Sequence, residues 1–192
     1  MNRENWLTDV VRPHLFNAFG EHGVDTAVEV GVWRGAYSRS IINALEPAQF
    51  IGVDPFRLHA EYGDCPDDHE FANQLNLDHL YMRTASTFAM WPTAKLIRLK
   101  GTEAAEQCED QSLDFVYIDG DHSYDFVHKD INAWYPKLKS GGILAGHDYT
   151  PGNPQKGHTY GVIQAVNEFA DQHDYVVETT DEQYATWYII KG

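Results

Sequence analysis

Cysteine is nearly absent: the 192 residues hold two, Cys65 and Cys108. They are far apart and fit no metal-binding spacing, which excludes a disulfide framework and a cysteine-based zinc site. A reducing compartment, the cytoplasm, is expected. Basic residues are also scarce. Fourteen Lys and Arg face 29 Asp and Glu, for a formal net charge of −15. So acidic a surface repels phosphate backbones and disfavours nucleic acid as a partner; the acidity itself requires nothing beyond solubility. Long apolar runs are missing. Nothing approaches the ~20 residues of a membrane span, and the opening stretch, with Arg3, Glu4 and Asn5, lacks the apolar centre of a secretion signal. Repeats, low-complexity tracts and Pro/Ser-rich linkers are lacking too, so a single domain over 1–192 is expected.

What is present is periodicity. Hydrophobic residues make up 43% of the chain, enough for a buried core. Trp6, Val10, Val11, Leu15 and Phe19 predict an amphipathic helix within residues 1–24. Thr26–Val30 reads as a strand with Gly31 at its end. Ile41, Ile42 and Leu45 mark a helix, Phe50–Val53 a second strand and Leu96–Leu99 a third. Leu113–Ile118 is continuously apolar, as a strand buried on both faces should be. Tyr124, Val127, Ile131, Trp134 and Leu138 predict a helix ended by Gly141-Gly142, with Ile143–Ala145 as the fifth strand. Val162, Ile163, Val166 and Phe169 give a further helix, and Tyr175–Glu178 and Thr186–Ile190 close the chain as strands. The long segment 56–92 contains Phe71, Leu75, Leu80 and Phe88 at helical hints and is expected to fold partly as a lid. The alternation predicts an α/β fold with a mostly parallel sheet, in which ligands bind beyond the carboxyl ends of the strands.

The strand ends therefore carry the chemistry. After the first strand stands Glu29-Val30-Gly31-Val32-Trp33-Arg34-Gly35. Two glycines let backbone approach a ligand closely. Glu29 ahead of them suits an ammonium group better than a pyrophosphate, and Trp33 occupies the second glycine's place of a dinucleotide fingerprint. Asp54, about 20 residues on, stands where an acid accepts ribose hydroxyls. Gly101-Thr102-Glu103 follows the third strand, with Thr102 readable equally as a helix cap. Asp119-Gly120-Asp121-His122 follows the fourth and Gly146-His147-Asp148-Tyr149 the fifth. If those two strands are neighbours, carboxylates and imidazoles gather at one mouth, suiting a divalent cation, a general base or both. Asp121 reads equally as the cap of a helix starting near Ser123.

The order Glu29-x-Gly31-x-x-x-Gly35, Asp54, Gly101, Asp119 and His147-Asp148 resembles class I methyltransferases that use S-adenosylmethionine (SAM). Asp114–Tyr149 is especially similar to a branch of small-molecule O-methyltransferases acting on sugars and antibiotics. The resemblance runs from about Thr26 to the C-terminus and implies a Rossmann-like three-layer sandwich, with a seven-stranded sheet whose last strand is antiparallel. It implies that Glu29, Gly31, Trp33, Gly35 and Ser38 surround the methionine part of SAM, that Asp54 holds the ribose, and that Thr102 and Glu103 flank adenine, with Asp119 also at the cofactor. In metal-dependent relatives the positions of Asp119, His147 and Asp148 are ligands and that of His122 is a base. Relatives usually carry Asp or Glu where this chain has His147. That weakens the case for Mg²⁺ and favours Mn²⁺ or another transition metal, or leaves His147 as a second catalytic residue.

The implied reaction is O-methylation of a small polar or polyhydroxylated acceptor, with His122 as general base; transfer to nitrogen stays open, as does a homo-oligomer. Two alternatives stand beside it. A non-catalytic SAM-binding module would leave His122 and His147 dispensable. Asp119-Gly120-Asp121 also fits the D-x-D of a metal-dependent glycosyltransferase, which leaves Glu29-x-Gly31 without a role. Trp33 counts against a dinucleotide-dependent dehydrogenase.

Overall fold

The structure, a computed structural model, describes residues 15–16, 23–58, 73–153, 158–182 and 184–192. Its strands are β1 (Thr26–Val30), β2 (Gln49–Val53), β3 (Ala94–Ile97), β4 (Leu113–Ile118), β5 (Leu138–Gly146), the short pair β6 (Gly152–Asn153) and β7 (His158–Thr159), β8 (Glu178–Thr179) and β9 (Trp187–Ile190). The helices are α1 (Ala36–Leu45), α2 (Gln74–Phe88), α3 (Gly101–Ala105), α4 (Tyr124–Trp134) and α5 (Val162–Gln172).

Seven strands form one sheet in the order β3-β2-β1-β4-β5-β9-β8. β1 to β5 run parallel and β9 is antiparallel to both its neighbours. Period-2 alternation feeds two core layers. Val28, Val30, Val116, Ile118 and Leu144 face α3, α4 and α5 through Ala104, Val127, Ile131, Trp134, Val166 and Phe169. Ala27, Phe50, Phe115, Tyr117 and Ile143 face α1 and the end of α2 through Tyr37, Ile41, Ile42 and Phe88. The expected three-layer architecture is therefore present. The chain moves outward from β1 through β2 to β3 and returns to β4 on the other side of β1, so the order reverses between β1 and β4. A crevice opens at such a reversal.

Several boundaries differ from those predicted. α4 stops at Trp134, not at the Gly141-Gly142 pair, because Pro136 cannot continue it; a 3₁₀ turn, Tyr135–Lys137, follows. β5 then begins at Leu138, and the two glycines lie inside it. Leu113 pairs Leu138 while Phe115 already pairs Ile143, so the glycine pair marks a bulge. β3 starts and ends two residues earlier than predicted. Tyr175 lies outside β8, where its hydroxyl meets that of Tyr135 at 2.7 Å, and Val176 is exposed. α3 is capped at Lys100 and begins at Gly101, so Thr102 is not its cap. In segment 56–92 the described part is a core element: Leu77, Leu80 and Phe56 pack together, and Phe88 joins the layer beside β2. Residues 59–72 and most of the predicted opening helix lie outside the described residues, although Leu15 and Phe16 are helical and Leu15 is buried.

Candidate functional site

The reversal point fixes the site's floor. Gly31 leaves β1 with φ +94°, and a Cβ there would sit 2.1 Å from the Asp119 carbonyl oxygen, so any other residue would drive the β1 and β4 exits apart. The Asp119 N–H donates to the Val30 carbonyl at 2.7 Å, continuing the ladder to the tip. Three non-glycine residues just beyond strand ends, Trp33, Phe56 and Asp148, have left-handed backbone, a conformation uncommon for the two bulky aromatic residues.

On the β1–β2 side the acids are held by backbone and hydroxyl donors. Asp54 accepts the Trp33 N–H at 2.9 Å and the Phe56 N–H at 2.7 Å. Burial pushes its carboxyl above the usual range, against those hydrogen bonds. Glu29 is buried and accepts the Ser38 hydroxyl of α1. Thr84 of α2 donates to the Trp33 carbonyl at 3.0 Å and so fixes the turn. The β2 exit is tied down as well: Gln74 Nε2 and Arg98 Nη2 both donate to the Phe56 carbonyl at 2.9 Å. An open cavity of about 510 Å³ lies between the β2 and β3 exits, bordered by Pro55, Arg57, Leu99 and Glu103. Thr102 and Glu103 sit on α3; of the two, Glu103 lines the cavity, and it also accepts the Lys100 N–H at 3.2 Å.

On the β4–β5 side the functional groups hold each other. β4 and β5 are neighbours, with Ile118 opposite Gly146, so the two tips converge as their motifs required. Asp148 is buried. Its Oδ2 lies 3.1 Å from His122 Nε2 and 2.8 Å from His147 Nδ1. Asp119 Oδ1 lies 3.9 Å from His122 and 3.8 Å from His147, a distance at which it acts by charge. The two rings thus approach one carboxylate pair from near-equivalent positions. Burial favours a neutral His122, but Asp119 and Asp148 outweigh it and push the ring up to about 11. The reciprocal effect, again against burial, holds the Asp148 carboxyl well below the usual range. In this state His122 is an imidazolium at neutral pH, a donor rather than a base.

The donor atoms of Asp119, His122 and Asp148 lie within 4.8 Å of one another, close enough to share one cation. Carboxylate oxygens with imidazole nitrogen fit Mn²⁺ or another transition metal better than Mg²⁺, which prefers oxygen throughout. The sequence reading expects a ligand role for His147 and a base role for His122; in the fold a His122 nitrogen lies in the donor group with Asp119 and Asp148.

Residues outside the strand-end motifs also border this site. The Tyr160 ring lies 4.6 Å from that of His122, and the exposed Tyr184 ring 6.5 Å from that of His147. Asp130 of α4 is a part-buried acid: loss of solvent, then the charge of Asp121, push its carboxyl up to about 7. Its signal was available, since Asp130 stands three residues after Val127 and so on the edge of the stripe that faces the core.

Residues 28–149 match the profile of a methyltransferase domain. An uncharacterized protein, y4gI, of Sinorhizobium fredii is 35% identical over 77 residues, which span 40% of this chain and 8% of that protein. The match thus covers a small part of its curated relative's length. Among solved structures, a precorrin-6y C5,15-methyltransferase of Geobacter metallireducens aligns over 100% of this chain and 94% of its own, with TM-score 0.64 and 14% identity. The O-methyltransferase NovP aligns over 88% of this chain and 72% of its own, with TM-score 0.61 and 17% identity. At these identities the likeness shows the fold alone, and the two enzymes differ by name in the atom that receives the group. Among the described residues no helix is long and apolar enough to cross a membrane.

Proposed function

Because the chain belongs to the methyltransferase domain family, we propose that it transfers a methyl group from SAM to an oxygen of a small polar or polyhydroxylated acceptor. The observation that supports this reading best is the meeting of two unlike halves at the β1/β4 reversal. One is a glycine turn with Asp54 beside it. The other is a charge cluster of Asp119, His122, His147 and Asp148.

SAM supplies an intrinsically electrophilic methyl group. This chain's residues would bind and align. Glu29 and Ser38, with the backbone from Gly31 to Gly35, border the place for the amino-acid end. Asp54 has further lone pairs for ribose hydroxyls, and Thr102 and Glu103 border the base. Asp119 and Asp148 would hold a divalent cation, with His122 or His147 as a third ligand, where it would act as a Lewis acid on the acceptor hydroxyl. Once committed to a cation, the two carboxylates would no longer keep a proton on His122, and whichever ring is not a ligand could take the acceptor's proton. Placement in a reducing compartment such as the cytoplasm accords with the scarcity of cysteine.

Calorimetric titration with S-adenosylhomocysteine, NAD and a nucleotide sugar in parallel separates this reading from a dehydrogenase and a glycosyltransferase. Binding of the first alone is expected, and binding of either other ligand in its place would overturn the reading. Full methyl transfer after thorough chelation would remove the metal from it. Wild-type turnover in both His122→Ala and His147→Ala would favour alignment without a base.

A further inference from the structure

Several side chains converge on the short turn after β2. Val53 pairs Ile97, so the first residues beyond β2 and β3, Asp54 and Arg98, leave the sheet side by side. The Asp54 N–H donates to the Ile97 carbonyl at 3.1 Å. Arg98 reaches back over this exit: Nη2 donates to the Phe56 carbonyl at 2.9 Å, and Nε to the Pro55 carbonyl at 3.4 Å. The same Nη2 pairs with Asp78 of α2, which also accepts from Gln74 Nε2 at 3.0 Å. The guanidinium carbon lies 4.9 Å from the Tyr81 ring, and that ring packs 5.4 Å from Phe56.

This bracing acts on Asp54 by two routes. The first is orientation. The Pro55 carbonyl and the Phe56 N–H belong to one peptide plane, and that N–H donates to Asp54 Oδ1 at 2.7 Å. Phe56 holds φ +42°, a backbone state that persists for a bulky residue only where its surroundings impose it. By holding the carbonyls on both sides of Phe56, Arg98 imposes it. The second route is charge. Loss of solvent favours a neutral Asp54, and the N–H groups of Val32, Trp33 and Phe56 oppose it. None of those groups titrates. Arg98 is the one side-chain charge acting on Asp54 among the described residues. Asp78, exposed and held below the usual carboxylate range first by its hydrogen bond to Arg98, keeps the guanidinium in place.

We propose that Arg98 is a positioning residue for the nucleoside end of the cofactor: it sets the Pro55–Phe56 peptide that orients Asp54, and it places a fixed positive charge beside the carboxylate that receives the ribose hydroxyls. A lysine would supply the charge but not the planar fork that meets two carbonyls and a carboxylate at once. The two routes are therefore separable by substitution. The proposal rests on the SAM reading, from which its test separates it.

S-adenosylhomocysteine is titrated calorimetrically between about pH 4.5 and 8 into wild type, Arg98→Gln, Arg98→Lys and Asp54→Asn, with unfolding curves to confirm the fold of each at every pH. Arg98→Met takes the place of Arg98→Gln if the latter does not fold. Affinity should fall toward acid as Asp54 gains a proton, and Asp54→Asn should lack that fall. In Arg98→Gln the midpoint of the fall should lie about one pH unit above that of wild type, since removing an opposite charge favours the neutral acid. Arg98→Lys should keep the wild-type midpoint while losing roughly 3–10-fold in affinity at pH 8, the cost of the lost fork. An equal loss at every pH in Arg98→Gln, with the midpoint unmoved, makes Arg98 a brace and no more, and overturns the proposal. So does an Arg98→Gln profile that matches wild type, a midpoint that moves as far in Arg98→Lys, or an acid fall that survives in Asp54→Asn. Each of these leaves the SAM reading intact. If wild type does not bind S-adenosylhomocysteine at any pH, the SAM reading falls and this proposal with it.

Discussion

The two halves of the site are built from different materials. At the β1 and β2 exits the acids are held by groups that do not titrate: Asp54 by the Trp33 and Phe56 amides, Glu29 by the Ser38 hydroxyl. At the β4 and β5 exits the acids are held by imidazoles, and the imidazoles by acids. The donors named in the first half keep their protons across the neutral range, and only the acids themselves can change charge there. The second changes with each proton or cation it gains. A cofactor bound at every turnover suits the first construction, and a proton transfer suits the second.

The largest effect that would sharpen this contrast is expected in the charge half. His122→Ala should lose about 10²–10⁴-fold in turnover in the cation-loaded protein, the scale for losing a general base that the occupied carboxylates no longer keep protonated, while its affinity for SAM stays at the wild-type value. A loss of SAM affinity comparable to the loss of turnover would merge the two halves. If His147→Ala is the variant that loses turnover, the base is His147 and the near-equivalent rings exchange roles.

A smaller effect is expected in the backbone half. Asp54→Ala should weaken SAM binding by about 1–3 kcal/mol, the cost of removing hydrogen bonds to a charged acceptor. Calorimetry on the folded variant checks this, and unchanged affinity would contradict the ribose assignment. Cation affinity should stay as in wild type, since Asp54 takes no part in the cluster around Asp148.

The smallest effect is on stability, and its sign follows from linkage. The folded His122 ring lies above its ordinary 6.5, at about 11, so the folded protein binds more protons than the unfolded chain between those values. Its contribution is fully present below pH 6.5 and is lost as pH rises toward 11. Metal-free wild type should therefore show a falling Tm from pH 6.5 upward, by several degrees, and His122→Ala should flatten that slope. Asp148, held below its ordinary value, acts at the other end: its contribution is present above pH 3.8 and lost as pH falls. A Tm of metal-free wild type that is level between pH 6.5 and 10 would break the contrast between the halves.

Much of this was legible in the sequence because parallel strands buried on both faces write themselves as apolar runs. Leu113–Ile118 was readable to the residue, and with it the position of Asp119 just beyond. The placement of Gly31, Asp54, His122 and Asp148 at strand ends followed from the same reading. What was not legible depended on partners distant in the chain. The Gly141-Gly142 pair reads as a helix stop until the β4–β5 register shows a bulge. Tyr160 and Tyr184 carry no pattern of their own, and only the fold brings them to the histidines. Thr84, which pins the Trp33 carbonyl, lies 51 residues from it along the chain. The net charge of His122 was undecidable from spacing, because it depends on how closely Asp119 and Asp148 approach the ring.

That charge is the most direct test. The ring nitrogens of His122 can be followed by NMR in ¹⁵N-histidine-labelled, metal-stripped protein as pH is raised from 6 to 10, with His122→Ala to assign the signal. The ring is expected to remain cationic across the whole range, in keeping with a value near 11, and to stay so when S-adenosylhomocysteine is added. A ring that titrates near its ordinary 6.5 in the metal-free protein would show that the β4–β5 half is not the charge-built cluster described here.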